Sequence, residues 1–163
     1  MPPHMPTSGD DPEPPVTRSL EVRELQVEDV GKGFCELLGQ LTTVGEVTES
    51  QFASRWAELS ESDDYKIIVI EDTESGKLVG CATLFVEKKF IHGCGKVGHV
   101  EDVVVDSSCR GQKLGLRLIN ALSQEAEGAG CYKIILDCSE HNVPFYEKCG
   151  YERKGAQMAK YFE

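Results

Sequence analysis

Apolar and polar residues follow each other in patterns that predict strands and helices in a defined order. Alternation over residues 20–25 predicts a first strand, and apolar residues at helical spacing over 27–41 predict one helix. Thr48 and Gln51 form a capping-box pattern, which opens a second helix that ends at Leu59. The chain therefore begins its ordered part as a strand followed by two helices.

The rest of the chain continues as strands and helices. The elements that we expect are a hairpin (65–70 and 78–86), a strand (98–106), a helix with Leu114, Leu118, Ile119 and Leu122 on one face, a strand (132–138), a short helix (Pro144 to Lys148, closed by Gly150) and a strand (156–162). The apolar run at 132–138 indicates a central strand covered on both faces. The order β-α-α-β-β-β-α-β-α-β predicts an α/β fold, with helices on the faces of a mixed sheet.

The first 19 residues differ from the rest, because they hold six of the seven prolines and no apolar run. They predict a disordered tail, followed by one domain over residues 20–163. We find no signal-peptide pattern and no run of about 18 apolar residues that could span a membrane. Seven cysteines without a Cys-x-x-Cys pair favour a reducing compartment and a cytoplasmic protein. Peripheral attachment at the cytosolic face of the endoplasmic reticulum stays open.

Charge is distributed unevenly along this acidic chain. The net charge of -11 argues against nucleic acid as the main partner. Residues 77–117 nevertheless carry seven basic residues against four acidic ones, which favours an anionic ligand in that stretch. On charge alone, a solvated face with chance clustering is the more frequent explanation. Cys94 and His92 lack a second ligand pair at zinc spacing, so we predict no metal site.

A polar turn over residues 106–115 joins a predicted strand to a predicted helix. Such a junction directs unpaired backbone N–H groups and the positive end of the helix dipole at one place, where a diphosphate fits. Gly111 and Gly115 permit close approach of a ligand, and Arg110, Lys113 and Arg117 supply charge. The turn has neither a Walker A nor a GxGxxG pattern, which disfavours a nucleoside triphosphate or dinucleotide. Taken alone, it fits an ordinary glycine-containing helix start equally well.

Residues 110–115, RGQKLG, resemble the phosphate-binding turn of the GCN5-related N-acetyltransferase (GNAT) superfamily, with Lys113 where that family prefers glycine. Four further segments sharpen the resemblance to the eukaryotic glucosamine 6-phosphate N-acetyltransferases: LTTVG (41–45), GHVEDVVVD (98–106), GCYKIILDC (130–138) and NVPFYEKCG (142–150). The resemblance covers residues 20–163. It implies the GNAT fold, in which a mixed, mostly antiparallel twisted sheet has splayed central strands and helices on both faces.

The same resemblance implies a reaction. Acetyl-CoA, the co-substrate, would donate its acetyl group to the amine of D-glucosamine 6-phosphate, which leads towards UDP-N-acetylglucosamine. In this family a strand bulge, here near Val103, directs a backbone N–H at the acetyl carbonyl. Glu101 would accept the amine proton, the Asp137 carbonyl would orient the amine, and Tyr146 would protonate the leaving sulfur. From spacing alone, Glu101 and Asp102 fit an exposed strand face.

The resemblance also implies the binding residues. The acetyl-CoA contacts would be Val103, Val104, Val105, Arg110, Gly111, Gln112, Lys113, Leu114, Gly115, Leu116 and Asn142. The sugar phosphate contacts would be Thr42, Lys89, Phe90, Ile91, His92, Glu101, Asp102, Val103, Tyr132, Lys133 and Asp137, with Lys160 reaching over from a partner chain. The expected assembly is therefore a homodimer whose C-terminal segments complete each other's sites. Two alternatives stay open: acetylation of another amine, such as a polyamine or a protein lysine, and a CoA-binding module without activity.

Overall fold

The protein is described by a computed structural model that covers residues 19–163, so the predicted disordered tail lies outside the described residues except for Ser19. Five strands form the sheet: β1 (Leu20–Glu24), β2 (Tyr65–Asp72), β3 (Lys77–Lys88), β4 (Lys96–Val105) and β5 (Cys131–Ile135). Four regular α-helices accompany them: α1 (Phe34–Leu38), α2 (Glu49–Ser60), α3 (Leu114–Gly128) and α4 (Val143–Lys148). A fifth, one-turn helical segment at Ile91–Cys94 is irregular, because His92 and Gly93 have left-handed backbone angles, and we refer to it as a turn. Short 3-10 helices occupy Val27–Lys32, Ser107–Cys109 and Glu140–Asn142.

The sheet has the order β1-β2-β3-β4-β5, in which neighbours are antiparallel except for the parallel pair β4 and β5. The apolar face predicted for α3 packs on one side of this sheet, where Leu118 and Leu122 are fully buried. On the other side, Phe34 of α1 meets Phe52 of α2 edge to face, with ring centroids 5.7 Å apart. The predicted α/β fold with helices on both faces is confirmed.

The helix predicted over 27–41 is instead two short helices. Gly33 lies between them with a φ of 84°, a left-handed conformation that ends the 3-10 helix before α1 begins. The capping box of α2 is confirmed, since the Gln51 N–H donates to Thr48 Oγ1 at 3.2 Å and the Thr48 N–H to Gln51 Oε1 at 2.9 Å.

The C-terminal part differs most from the sequence prediction. Strand β5 stops at Ile135 rather than at residue 138, and it lies at the edge of the sheet rather than in the centre. The strand predicted over 156–162 is wrong, because residues 151–163 have no regular secondary structure. A segment does not form a strand without a neighbour that supplies ladder hydrogen bonds. The described chain provides no such neighbour, and Met158, Tyr161 and Phe162 stay exposed.

Strand β4 extends beyond its pairing with β5, which ends at Ile135. Their pairing runs from Lys96 opposite Cys131 to His99 opposite Ile135, whereas β4 continues to Val105 beside β3 alone. Beyond His99, β4 therefore has no strand partner on its β5 side, as expected for splayed strands, and we call this unpaired side of β4 the wedge. No helix within residues 19–163 has the length and hydrophobicity needed to cross a bilayer.

Candidate active site

A bulge in β4 lies at the mouth of the wedge. Thr83 pairs with Glu101 and Cys81 with Val104, which leaves Asp102 and Val103 together opposite a single residue of β3. Asp102 has a φ of 51°, in the left-handed region, and its backbone carbonyl accepts a hydrogen bond from the Cys81 thiol at 3.7 Å. Such a bulge leaves one residue unpaired in the ladder, so its backbone N–H and C=O groups are available to bind a ligand. The bulge stands at the predicted position.

Glu101 is exposed beside the bulge. Partial burial raises the pKa of its carboxyl above the usual value, and the charges of Asp137 and Asp102 raise it further, while His99 opposes them. A carboxyl whose pKa is moved towards neutrality is a better proton acceptor than an ordinary surface glutamate. The electrostatics therefore suit a general base at this position.

Tyr146 lies half-buried on α4, with its ring against Phe145 at 4.9 Å and Tyr151 at 5.9 Å between centroids. Burial, followed by the charges of Cys138 and Cys149, raises the pKa of its phenol to about 12. The phenol thus keeps its proton throughout the physiological range and can donate it. Asp137 raises the pKa of both Glu101 and Tyr146, so these two residues lie near the same carboxylate just beyond β5.

The polar turn after β4 has the geometry of an anion site. Gly111 and Lys113 have positive φ angles of 86° and 58°, so Lys113 adopts the left-handed conformation even though it replaces a glycine. Arg110, Gln112 and Lys113 are exposed, and α3 begins immediately afterwards. The first N–H groups of a helix lack intrahelical acceptors. The exposed cations and these donors fit a diphosphate group.

Several predicted cofactor contacts can be made only through the backbone. The side chains of Val104 and Leu114 are 7% and 2% exposed, because both belong to the core. At Gly115, a Cβ atom would lie 3.1 Å from the Phe145 ring, so the close approach allowed by this glycine is to α4 rather than to a ligand. Phe145, which sequence reasoning did not single out, therefore couples α3 to the helix that carries Tyr146.

Part of the predicted sugar-phosphate set lies at the turn at Ile91–Cys94 and at the start of β5, whereas Thr42, the residues of the β4 bulge and Asp137 lie on other elements. His92 stacks on Tyr132 with ring centroids 4.1 Å apart, and Lys133 Nζ lies 5.8 Å from the same ring. Lys89 lies just before this turn and donates to Glu87 at 2.9 Å. Val103, Val105 and Leu116 are half-buried. Asp137 is exposed after β5, and the exposed residues also include Phe90, Ile91, Thr42 and Asn142.

Lys160 lies apart from these groups, in the exposed C-terminal segment, with its Nζ 5.9 Å from the Phe162 ring. Sequence reasoning also missed Gln40, Cys81, Glu87 and His99, all of which bond to elements of the site. Among residues 19–163, no group of three or more His, Cys, Asp or Glu side chains is arranged to hold a metal ion.

Comparison with known proteins agrees with this geometry. The model of the acetyltransferase (GNAT) family matches residues 32–151. Glucosamine 6-phosphate N-acetyltransferase from Arabidopsis thaliana is 48% identical over 149 residues, which cover 91% of this chain and 100% of that protein. Glucosamine 6-phosphate N-acetyltransferase 1 from Dictyostelium discoideum is 50% identical and covers 90% of this chain and 93% of its own.

Solved structures give the same result. The crystal structure of the Arabidopsis thaliana enzyme superimposes with a TM-score of 0.87 at 49% identity, covering 89% of this chain and 99% of that one. An acetyltransferase from Trypanosoma brucei superimposes with a TM-score of 0.82 at 38% identity, covering 88% of this chain and 100% of that one. With its splayed β4 and β5, its bulge and its polar turn before α3, this chain belongs to the acetyltransferase (GNAT) family.

Proposed function

We propose that this protein transfers the acetyl group of acetyl-CoA to the amine of D-glucosamine 6-phosphate, which yields N-acetyl-D-glucosamine 6-phosphate and CoA. The observation that carries the proposal is that the chain matches the full length of an Arabidopsis thaliana enzyme of this name at 48% identity. The wedge, with Glu101 and Tyr146 both close to Asp137, supplies the chemistry that this reaction needs.

Donor binding uses the polar turn. Arg110, Gln112 and Lys113, with Gly111 between them, surround the diphosphate, and the N–H groups of Leu114, Gly115 and Leu116 donate to it. Backbone groups of Val103, Val104 and Val105 line the path of the pantetheine arm on β4. Asn142, beside the start of α4, contacts the same arm from the opposite side. The thioester then lies in the wedge beside the bulge.

Sugar binding uses the positively charged end of the same site. Lys89 and His92 bind the phosphate, for which cations and N–H groups are the preferred partners. Phe90, Ile91, Tyr132 and Lys133 surround the hexose, and Thr42 and Asp102 contact its hydroxyls. The amine then faces Glu101 and the backbone carbonyl of Asp137.

The reaction proceeds by direct transfer. The neutral amine attacks the acetyl carbonyl carbon, and the Val103 N–H stabilises the developing oxyanion, a contribution of about 3 kcal/mol for one such donor. Glu101 takes the proton that the nitrogen loses, directly or through water. The C–S bond breaks as Tyr146 donates its proton to the departing sulfur. No covalent intermediate with the protein is formed.

The proposal includes a homodimer in the cytoplasm. Phe90, Ile91, Met158, Tyr161 and Phe162 are 60% to 93% exposed, an arrangement that favours burial against a second copy. Lys160 then approaches the phosphate in the partner's site. We expect light scattering after gel filtration to give twice the 18.0 kDa chain mass. Removal of residues 157–163 should lower affinity for the sugar phosphate, and a monomeric full-length chain with undiminished activity would contradict this part of the proposal.

A thiol-release assay tests the substrate directly. Purified protein and acetyl-CoA are supplied with glucosamine 6-phosphate, glucosamine, galactosamine 6-phosphate, spermidine or a lysine peptide. We expect rapid CoA release only with glucosamine 6-phosphate and much slower release with unphosphorylated glucosamine. Faster turnover of spermidine or peptide would favour a different amine substrate. Acetyl-CoA binding by calorimetry without turnover of any amine would favour a module without activity.

A further inference from the structure

Glu87, near the end of β3, shares its carboxylate between two groups of the site. Its Oε2 accepts from Lys89 Nζ at 2.9 Å, and its Oε1 lies 3.0 Å from His99 Nε2. Because a carboxylate only accepts hydrogen bonds, Nε2 of His99 carries the hydrogen. The hydrogen bond from Lys89, followed by that from His99, lowers the pKa of the Glu87 carboxyl below its usual value. Glu87 is therefore an anion that holds two donors in place.

His99 occupies a distinctive position in the sheet. It forms the last pair of the β4–β5 ladder, opposite Ile135, so it stands where the wedge opens. Glu101 follows two residues later, and side chains two apart along a strand point to the same face. The His99 ring also ends a row of cross-strand aromatic neighbours, 5.7 Å from Phe85, which itself lies 5.0 Å from Tyr65. Glu87 and this row together fix the imidazole.

The charged surroundings of His99 come from three strands. Glu87 approaches from β3, Glu101 lies on β4 itself, and β5 presents Lys133 two residues before Ile135. Strand β2 contributes only the phenol of Tyr65, behind Phe85. His99 thus has carboxylates on two sides, and one of them is the base of the proposed reaction.

We propose that Glu87 and His99 form a positioning pair, in which Glu87 fixes the His99 imidazole beside Glu101 and keeps Lys89 at the phosphate end of the same site. The inference rests on the proposed function, because it concerns Glu101 acting as base. His99 lowers the pKa of the Glu101 carboxyl, which favours the ionised carboxylate that accepts a proton and counteracts the repulsion from Asp137 and Asp102. The Glu87 carboxylate thereby affects phosphate binding through Lys89 and the pKa of Glu101 through His99.

The sign of the effect follows from electrostatics. The imidazole of His99 lowers the pKa of the Glu101 carboxyl, in opposition to Asp137 and Asp102, which raise it. When the His99 imidazole is replaced by an uncharged amide, Glu101 holds its proton to higher pH. The acidic limb of the kcat/KM profile therefore shifts to higher pH. A shift of one pH unit corresponds to about tenfold lower kcat/KM on the acidic side, with little change at pH 8.

The test compares His99→Gln with His99→Arg. We expect His99→Gln to lose about three- to tenfold in kcat/KM at pH 5.5 and little at pH 8. The arginine variant restores a cation that can bond Glu87, so its acidic limb should match that of the unmodified protein. Glu87→Gln should move the limb in the same direction as His99→Gln, and it should also raise KM for glucosamine 6-phosphate several-fold, because Lys89 loses its anchor. Equal losses at all pH values in both His99 variants would show a merely structural role and overturn the proposal.

A second measurement does not need turnover. Carbon NMR of labelled glutamate carboxyls, assigned with Glu101→Gln, gives the Glu101 titration in the substrate-free protein. We expect the Glu101 midpoint to rise in His99→Gln and to stay in place in His99→Arg. An unchanged Glu101 midpoint in His99→Gln would overturn the proposed positioning pair. Failure of the thiol-release assay with glucosamine 6-phosphate would instead overturn only the proposed function. Thermal melting of each variant identifies any that fails to fold.

Discussion

The side chain of Gln40 bridges to Asp106 across 66 positions of sequence. Its Nε2 donates to Asp106 Oδ2 at 2.8 Å, and its Oε1 accepts from the Ser107 N–H at 3.0 Å. Gln40 follows α1 and precedes Thr42, whereas Asp106 begins the turn that is proposed to hold the diphosphate. One amide therefore connects the loop on the sugar side with the loop on the donor side.

We expect Gln40→Ala to raise KM for acetyl-CoA by about threefold, with a smaller effect on kcat, because exposed hydrogen bonds contribute little each but these two set a loop position. Gln124→Ala, on an exposed part of α3, is the matched control and should leave both parameters unchanged. Steady-state kinetics at saturating sugar phosphate measure the effect. An unchanged KM in Gln40→Ala would mean that the bridge does not position the turn.

Tyr146→Phe removes only the hydroxyl group, so it tests proton donation to the sulfur. We expect kcat to fall about 10²- to 10³-fold while KM for both substrates changes little, since the ring still packs against Phe145 and Tyr151. Because the phenol pKa is raised to about 12, the unmodified protein should show no loss of kcat from tyrosine ionisation up to pH 10.

The measurement is the pH dependence of kcat for both proteins. Tyr65→Phe, at an exposed tyrosine on β2, keeps the ring that packs on Phe85 and removes only a hydroxyl group, so it serves as the control and should retain full activity. Equal kcat values for Tyr146→Phe and the unmodified protein would exclude Tyr146 as the proton donor.

Sequence patterns predicted the elements whose partners are close along the chain. The α2 capping box, the β2–β3 hairpin and the apolar face of α3 depend on local spacing, and all three are present. The bulge position came from resemblance to a family, whereas the polar turn was predicted from its glycines and basic residues between a predicted strand and a predicted helix. What the sequence did not predict were relationships between distant elements, such as the edge position of β5 or the contact of Gln40 with Asp106.

The failures have physical causes. The helix predicted over 27–41 shows good apolar spacing, but Gly33 in a left-handed conformation interrupts it. The apolar run at 132–138 has the composition of a central strand, yet a strand's place in a sheet depends on which neighbours reach it. At Lys113 a conformation that the residue type disfavours is present. The turn imposes a left-handed backbone there, although lysine does not favour it.

Gly115 tests the packing of α3 against α4. Alanine in a helix is ordinarily favoured over glycine by about 1 kcal/mol. Here its Cβ would lie 3.1 Å from Phe145 Cζ, so the Phe145 ring on α4 must shift by a few tenths of an ångström. We expect Gly115→Ala to lower kcat about tenfold through displacement of Tyr146, with no gain in stability.

The control for this substitution is Gly128→Ala, at the end of the same helix, where no atom lies within 4 Å of the added Cβ. That variant should keep full activity. Adding Phe145→Leu to Gly115→Ala makes room for the methyl group and should recover part of the lost kcat. If Gly115→Ala alone behaves like Gly128→Ala, the contact does not position Tyr146.

Arg23 and Asp29 form a buried ion pair that anchors the start of the domain. Asp29 is 0% exposed, and its carboxylate accepts two hydrogen bonds from the Arg23 guanidinium at 2.8 and 2.7 Å and one from the Gln26 N–H at 2.7 Å. Burial alone would raise the pKa of Asp29, but the Arg23 and Gln26 hydrogen bonds outweigh it and lower the pKa below its usual value. Asp29→Asn should therefore lower the free energy of unfolding at pH 7 by about 3 kcal/mol, because Arg23 loses a buried partner.

The pH dependence of this stabilisation has a definite sign. A carboxyl whose pKa is lower in the folded than in the unfolded state contributes stability above the unfolded pKa, near 3.9, and loses it as the pH falls through the folded pKa. Urea unfolding between pH 7 and pH 2.5 should accordingly show the difference between Asp29→Asn and the unmodified protein shrinking as the solution becomes acidic. Glu58→Gln, which removes the exposed pair with Arg55, should cost only a few tenths of a kcal/mol at pH 7. A constant difference across the pH range would mean that the loss in Asp29→Asn arises from packing rather than from the carboxylate charge.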